Sequence, residues 1–171
     1  MKVVLLGYMA SGKSSVGKAL AKRLDLSFLD LDEEISKAVE MDIPEIFSRK
    51  GEIFFRKKEA EVLKEVLTHT PNMVLSLGGG TPCYGRNMEL IDQLSDRSYY
   101  LKLSIGSLVQ RIIKEREHRP LVKNIPEADL PEFIGKHLFE RSPFYALANQ
   151  TIVADQKTLD EVVKEIADDL V

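Results

Sequence analysis

The sequence predicts an α/β fold: a five-stranded parallel sheet with helices on both faces. Two observations carry that expectation. Short continuous apolar runs alternate with longer stretches whose apolar residues recur every three or four positions, the rhythm of βαβ units. Glycines close two of the apolar runs, at Gly7 and at Gly78 to Gly80, where the strands of such a sheet would end. In sheets of this kind ligands gather beyond the carboxyl ends of the strands.

Taken in order, Val3 to Leu6 is a run of β-branched and leucine residues, as expected for a strand buried on both faces. Lys13 to Leu24 follows as a helix, with Val16, Ala19, Leu20 and Leu24 on one face and Lys18, Lys22 and Arg23 turned outward. Phe28 to Leu31 reads as a strand, Glu33 to Val39 and Pro44 to Arg49 as short helices, and Glu52 to His69 as a long one. Pro71 and Asn72 end that helix before a strand from Met73 to Leu77. Arg86 to Leu94 is a helix, Ser98 to Leu103 a strand and Ile105 to Glu115 a helix. Between Arg116 and Pro131 the chain is charged and carries Pro120, Pro126 and Pro131, the pattern of a mobile loop long enough to act as a lid. Pro131 to Ala148 returns to helix, Thr151 to Ala154 is a last short strand, and Leu159 to Val171 is an amphipathic helix.

Composition narrows the function. With 171 residues the chain fits one domain, which buries about 70% of the surface its unfolded form exposes and needs no staples. Cys83 is the only cysteine, so an internal disulfide and thiolate metal sites are excluded, and a reducing, cytoplasmic setting is expected. The balance of 24 basic against 27 acidic side chains argues against a general nucleic-acid binder, whose affinity needs a basic surface. The longest charge-free run, Val66 to Gly85, holds Pro71, Pro82 and four glycines and does not span a bilayer. Lys2 with the apolar run to Ala10 has the outline of a short signal peptide, but Gly7 interrupts it and no cleavage site follows, so the mature chain is expected to begin here.

The strongest chemical signal is Gly7-Tyr8-Met9-Ala10-Ser11-Gly12-Lys13-Ser14, which matches G-x-x-x-x-G-K-[ST] at every fixed position. It follows a strand and opens a helix, so backbone N–H groups and the helix N-terminus can cradle phosphate oxygens. Lys13 would reach the β- and γ-phosphates and Ser14 would supply a hydroxyl to Mg²⁺, which predicts a P-loop NTPase fold.

Asp30 and Asp32 come next, where the second strand gives way to its helix. Along an extended backbone they would point to one side, one serving Mg²⁺ and the other accepting a proton from an attacking hydroxyl. The competing reading is a helix N-cap, and the residues alone leave both open. Gly78 to Gly80 reads either as a turn with positive φ or as backbone placed for close contact, and its position at a strand's carboxyl end favours contact. Ser76 stands where a usual Walker-B aspartate would be, with Asp30 the natural substitute. Arg56, Arg119 and Arg141 are candidates for gripping a carboxylate or phosphate, although composition does not choose among the arginines. Glu115 and His118 form a single E-x-x-H, read as lid surface because a di-metal site needs two such motifs.

Several motifs in this order resemble a shikimate kinase over essentially the full length. The P-loop is followed by F-L-D-L-D at Phe28 to Asp32, G-E-x-x-F-R at Gly51 to Arg56 and L-G-G-G at Leu77 to Gly80. R-P-L-V then runs from Arg119 to Val122 and R-S-P-F-Y from Arg141 to Tyr145. Val122 stands where R-P-L-L is more usual, and Cys83 and Tyr84 belong to no pattern. The resemblance implies a strand order of 2-3-1-4-5, an acceptor-binding region at about 32–60 and a lid at about 115–130 within one domain of residues 1–171. It implies ATP and Mg²⁺ as cofactors and phosphorylation of the 3-hydroxyl of shikimate. Ala10, Ser11, Gly12, Lys13, Ser14 and Ser15 would bind ATP phosphates, and Ser14 and Asp30 the metal. Asp32 would be base and acceptor ligand, Arg56 and Arg141 would hold the carboxylate, and Gly79 and Gly80 the ring hydroxyls. Arg119 would fold in from the lid, while Arg111 and Gln156 match adenine-contacting positions. A cytoplasmic monomer is expected. The alternatives are a P-loop kinase of another acceptor, such as gluconate or a nucleoside monophosphate, and a catalytically silent nucleotide-binding module.

Overall fold

The computed structural model describes residues 1–171. Strand β1 (Lys2–Leu6) leads into α1 (Lys13–Leu24), then β2 (Ser27–Asp30), α2 (Leu31–Val39), α3 (Ile43–Lys50) and α4 (Glu52–His69). Next come β3 (Met73–Ser76), a short 3₁₀ turn (Thr81–Cys83), α5 (Asn87–Leu94), β4 (Arg97–Lys102) and α6 (Ile105–Glu115). Two more 3₁₀ turns (Arg116–His118 and Glu127–Asp129) precede α7 (Leu130–Tyr145), β5 (Gln150–Val153) and α8 (Leu159–Asp169).

The five strands form one sheet in the order β2-β3-β1-β4-β5, every pair parallel. Successive side chains of a strand point to opposite faces, yet Val3, Val4, Leu5 and Leu6 are all fully buried, so both faces of β1 are covered by helices. Full burial of each such side chain contributes about 1.5–3 kcal/mol, which makes the central strands the rigid base of the molecule. Register aligns Asp30 with Ser76 and Ser76 with Leu5, so β2, β3 and β1 end at one level. Their three exits, Asp30, Leu77 and Gly7, therefore share one edge. No helix is long and apolar enough to cross a membrane.

Differences from the sequence reading are local. β2 ends at Asp30 rather than Leu31, because the Asp30 side chain accepts hydrogen bonds from the Asp32 and Glu33 N–H groups and starts α2 early. Asp32 thus sits in the first helical turn, not on extended backbone, and strand alternation is not what places it. None of Gly78 to Gly80 has positive φ, so that part of the turn reading fails; Gly79 and Gly80 still form a turn, closed by the Thr81 N–H donating to the Gly78 carbonyl at 3.2 Å. The lid segment is more ordered than the expected loop: it winds into two 3₁₀ turns, Val122 is fully buried, and Arg116 donates to the carbonyls of Lys123 and Ile125.

Candidate active site

A cleft of about 620 Å³ opens at the carboxyl edge of β1, β2 and β3. Its floor is the loop between β1 and α1, where Ala10 and Gly12 both have positive φ. Gly12, at φ 96°, adopts that conformation without a Cβ penalty and turns the loop's backbone inward. Ala10, Gly12, Lys13, Ser14 and Ser15 all line the cleft. Ser11 does not: its buried hydroxyl is turned under the loop without a hydrogen-bond partner, and its N–H donates to the Tyr8 carbonyl.

Lys13 lies over the same loop, its Nζ donating to the Gly7 and Tyr8 carbonyls at 2.8 and 2.9 Å. Burial, reinforced by the charge of Arg119, pushes this ammonium down to about 8. Across the cleft, burial and the neighbouring charges of Asp30 and Glu59 push the Asp32 carboxyl up to about 6. An ammonium lowered and a carboxylate raised in one cleft mark it as a candidate functional site.

Asp30 is the helix cap of one reading left open by its sequence, with Oδ1 capping α2, and it also stands on the cleft wall beside Ser14. Arg119 enters from the lid, held by Glu115 through Nε at 2.9 Å and Nη2 at 2.6 Å. Glu115 is exposed, as read, but it also forms part of the cleft wall. No cluster of metal-ligating side chains involves it.

The glycine triplet is where the remaining side chains converge. A Cβ on Gly78 would lie 3.1 Å from Asp32 Oδ1, one on Gly79 3.0 Å from Arg141 Nη1, and one on Gly80 2.9 Å from Arg56 Nη2. Three successive residues without side chains thus admit one carboxylate and two guanidinium groups to a single patch of backbone. Arg111 lines the main cleft and donates to the Ala10 carbonyl at 3.2 Å. It also borders an adjoining cavity of about 180 Å³ that contains Gln156, so these two residues stand together on the far side of the loop.

Sequence reasoning missed three supports. Glu59, almost fully buried, binds Arg56 Nη1 at 2.9 Å and accepts from the Thr81 hydroxyl at 2.9 Å. Its signal was available: Glu59 occupies a slot in the apolar stripe Phe55, Val62, Leu63 and Val66 of α4, where an unpaired charge would be costly. Tyr145 donates to the Gly79 carbonyl, and Tyr84 covers Arg56; neither contact has a local sequence signal.

A phosphate-cradling loop, a perturbed lysine and carboxylate, and paired arginines at the edge of a parallel sheet define a P-loop kinase of small molecules. Comparisons with known proteins narrow that class. The protein-family model for shikimate kinase matches residues 9–171. A shikimate kinase of Flavobacterium psychrophilum is 46% identical over 96% of each chain, and one of Flavobacterium johnsoniae 45% identical over 98% of this chain and 97% of that one. The crystal structure of shikimate kinase from Bacteroides thetaiotaomicron superposes with a TM-score of 0.92 at 32% identity, over 99% of this chain and 98% of that one. That from Acinetobacter baumannii in complex with shikimate gives 0.87 at 30% identity, over 99% and 92%. The chain belongs to the shikimate kinase family.

Proposed function

We propose that the chain transfers the γ-phosphoryl group of ATP to the 3-hydroxyl of shikimate, giving shikimate 3-phosphate and ADP. The observation that carries this reading is the convergence of Asp32, Arg141 and Arg56 on the backbone of Gly78 to Gly80, next to the P-loop. One carboxylate and two guanidinium groups suit a small acceptor that bears hydroxyls and a carboxylate, and planar guanidinium groups match that carboxylate bidentately.

The geometry supports the following roles. The loop from Ala10 to Ser15 and Lys13 hold the ATP phosphates, and Arg119 neutralises charge on them from the lid. Arg111 and Gln156 border the space for the base. Asp32 takes the proton of the acceptor hydroxyl as that oxygen attacks the γ-phosphorus, and ADP leaves with the electrons of the broken P–O bond. Gly79 and Gly80 face the acceptor's ring. Ser14 and Asp30 fit Mg²⁺: both offer hard oxygen donors on the cleft wall, and only Oδ1 of Asp30 is taken by the α2 cap. A bound Mg²⁺ would supply charge neutralisation at the phosphates.

The chain acts as one domain, with the acceptor region at about 32–60 and the lid at about 115–130, as a cytoplasmic monomer. The product identifies the reaction: NMR of the reaction mixture should show a single phosphate ester on the 3-hydroxyl, and an ester at another position would overturn the assignment.

A further inference from the structure

Arg56 is held from several sides, and only some of those contacts are hydrogen bonds. Nη1 pairs with Glu59 at 2.9 Å, and Glu59 is itself fixed by Thr81. Nε is buried and has no hydrogen-bond partner; the nearest carboxylate, Glu52, stands 3.9 Å away. The plane of the guanidinium lies against the Tyr84 ring, with Arg56 Cζ 3.8 Å from the ring centroid. Tyr84 is anchored in turn: its hydroxyl donates to Glu52 Oε1 at 3.3 Å, and its backbone carbonyl accepts from Asn87. It follows directly on the 3₁₀ turn that closes the glycine triplet.

A guanidinium tethered through one Nη alone can swing about that bond. An aromatic face at 3.8 Å removes the swing, because tilting the plane sacrifices both the stacking contact and the cation–π attraction. Bidentate docking of a carboxylate needs two N–H groups in a fixed plane, so the ordering cost is met before the ligand arrives.

We propose that Tyr84 is a positioning residue for the acceptor: its ring sets the plane of Arg56 so that the guanidinium, whose Nη2 lies at the Gly80 backbone, stays in a fixed orientation for the acceptor's carboxylate. This rests on the reading that Arg56 binds that carboxylate, and the test separates the two.

Acceptor and ATP titrations are run on wild type, Tyr84→Phe, Tyr84→Leu, Tyr84→Gln, Arg56→Ala and Arg56→Ala with Tyr84→Leu, with melting temperatures alongside. Tyr84 is 37% exposed, so two non-aromatic replacements guard against a folding defect in either. Tyr84→Leu and Tyr84→Gln should raise acceptor KM about fivefold to thirtyfold, with kcat and ATP KM within about twofold of wild type. Tyr84→Phe, which keeps the ring and loses the hydroxyl, should restore acceptor KM. On the Arg56→Ala background Tyr84→Leu should add less than about twofold, because the ring acts only through Arg56. An unchanged acceptor KM in both non-aromatic variants, or an undiminished effect without Arg56, overturns the proposal alone. An Arg56→Ala variant with unchanged acceptor KM removes the carboxylate reading and the proposal together.

Discussion

The Tyr145 hydroxyl donates to the Gly79 carbonyl at 2.6 Å, tying α7 to the backbone on which the acceptor is proposed to sit. Tyr145 is fully buried, and burial raises its phenol above the ordinary range, so it remains a neutral donor throughout the physiological range. Arg141 stands one turn earlier on the same helix, with its Nη1 against Gly79. Tyr145→Phe leaves the Gly79 carbonyl without its partner. We expect a loss of about 1–2 kcal/mol in denaturant-unfolding stability and a rise in acceptor KM at unchanged ATP KM. Unchanged stability would show that water replaces the bond.

Asp32 combines function with a stability cost. Asp32→Asn should lower turnover by about 10²- to 10⁴-fold while ATP still binds, the usual worth of a positioned base. The same change should stabilise the free protein at neutral pH by about 1–3 kcal/mol, because it removes a carboxylate that is poorly solvated when ionised. The sign depends on pH. The folded state holds the Asp32 proton more tightly than the unfolded chain, so the wild type is relieved of this cost below the ordinary carboxylate range and bears it fully above about 6. Thermal unfolding of both proteins across pH checks this: the gain should vanish below about pH 4.

Activity should follow Asp32, and ATP binding should follow Lys13. With Asp32 pushed up to about 6, kcat/KM for the acceptor should fall about tenfold per pH unit below that value. Lys13, pushed down to about 8, is partly deprotonated in the free protein at mildly alkaline pH, and phosphate charge would restore its proton. ATP binding near pH 8 should therefore take up protons, read as a dependence of calorimetric heat on the buffer's ionisation enthalpy. Heats independent of buffer would contradict either the lowered Lys13 or its placement at the phosphates.

The triplet's lack of side chains is itself testable. In Gly80→Ala the new Cβ would meet Arg56 at 2.9 to 3.0 Å, and Arg56 has little freedom to yield between Glu59 and Tyr84. Acceptor KM should rise about tenfold or more, with ATP KM unchanged. Steady-state titrations of both substrates read the split.

The parts of this architecture that local physics dictates were legible in the residues. The Val3 to Leu6 run, the P-loop and the bounds of α1, α4 and α6 all appear where periodicity and glycine placement put them. Asp30 and Asp32 were recognised as a pair, but their relative placement turned on a capping bond that begins α2 one residue after the strand. Glu59, Tyr84 and Tyr145 act through partners 22 to 66 residues or a helical turn away, on elements brought together only by the sheet. The burial of Val122 in the lid, and the Arg116 tethers to carbonyls seven and nine residues on, have no periodic signal either; the charge and prolines of that segment point only to a loop.

The most direct test of the central claim is ADP release from Mg²⁺-ATP with shikimate, quinate, gluconate, nucleoside monophosphates or no acceptor. Stimulation by shikimate, with little from the others, is the predicted result. Stimulation by a nucleoside monophosphate or gluconate instead, or by no acceptor while ATP still binds, would contradict the roles given to Asp32, Arg56 and Arg141.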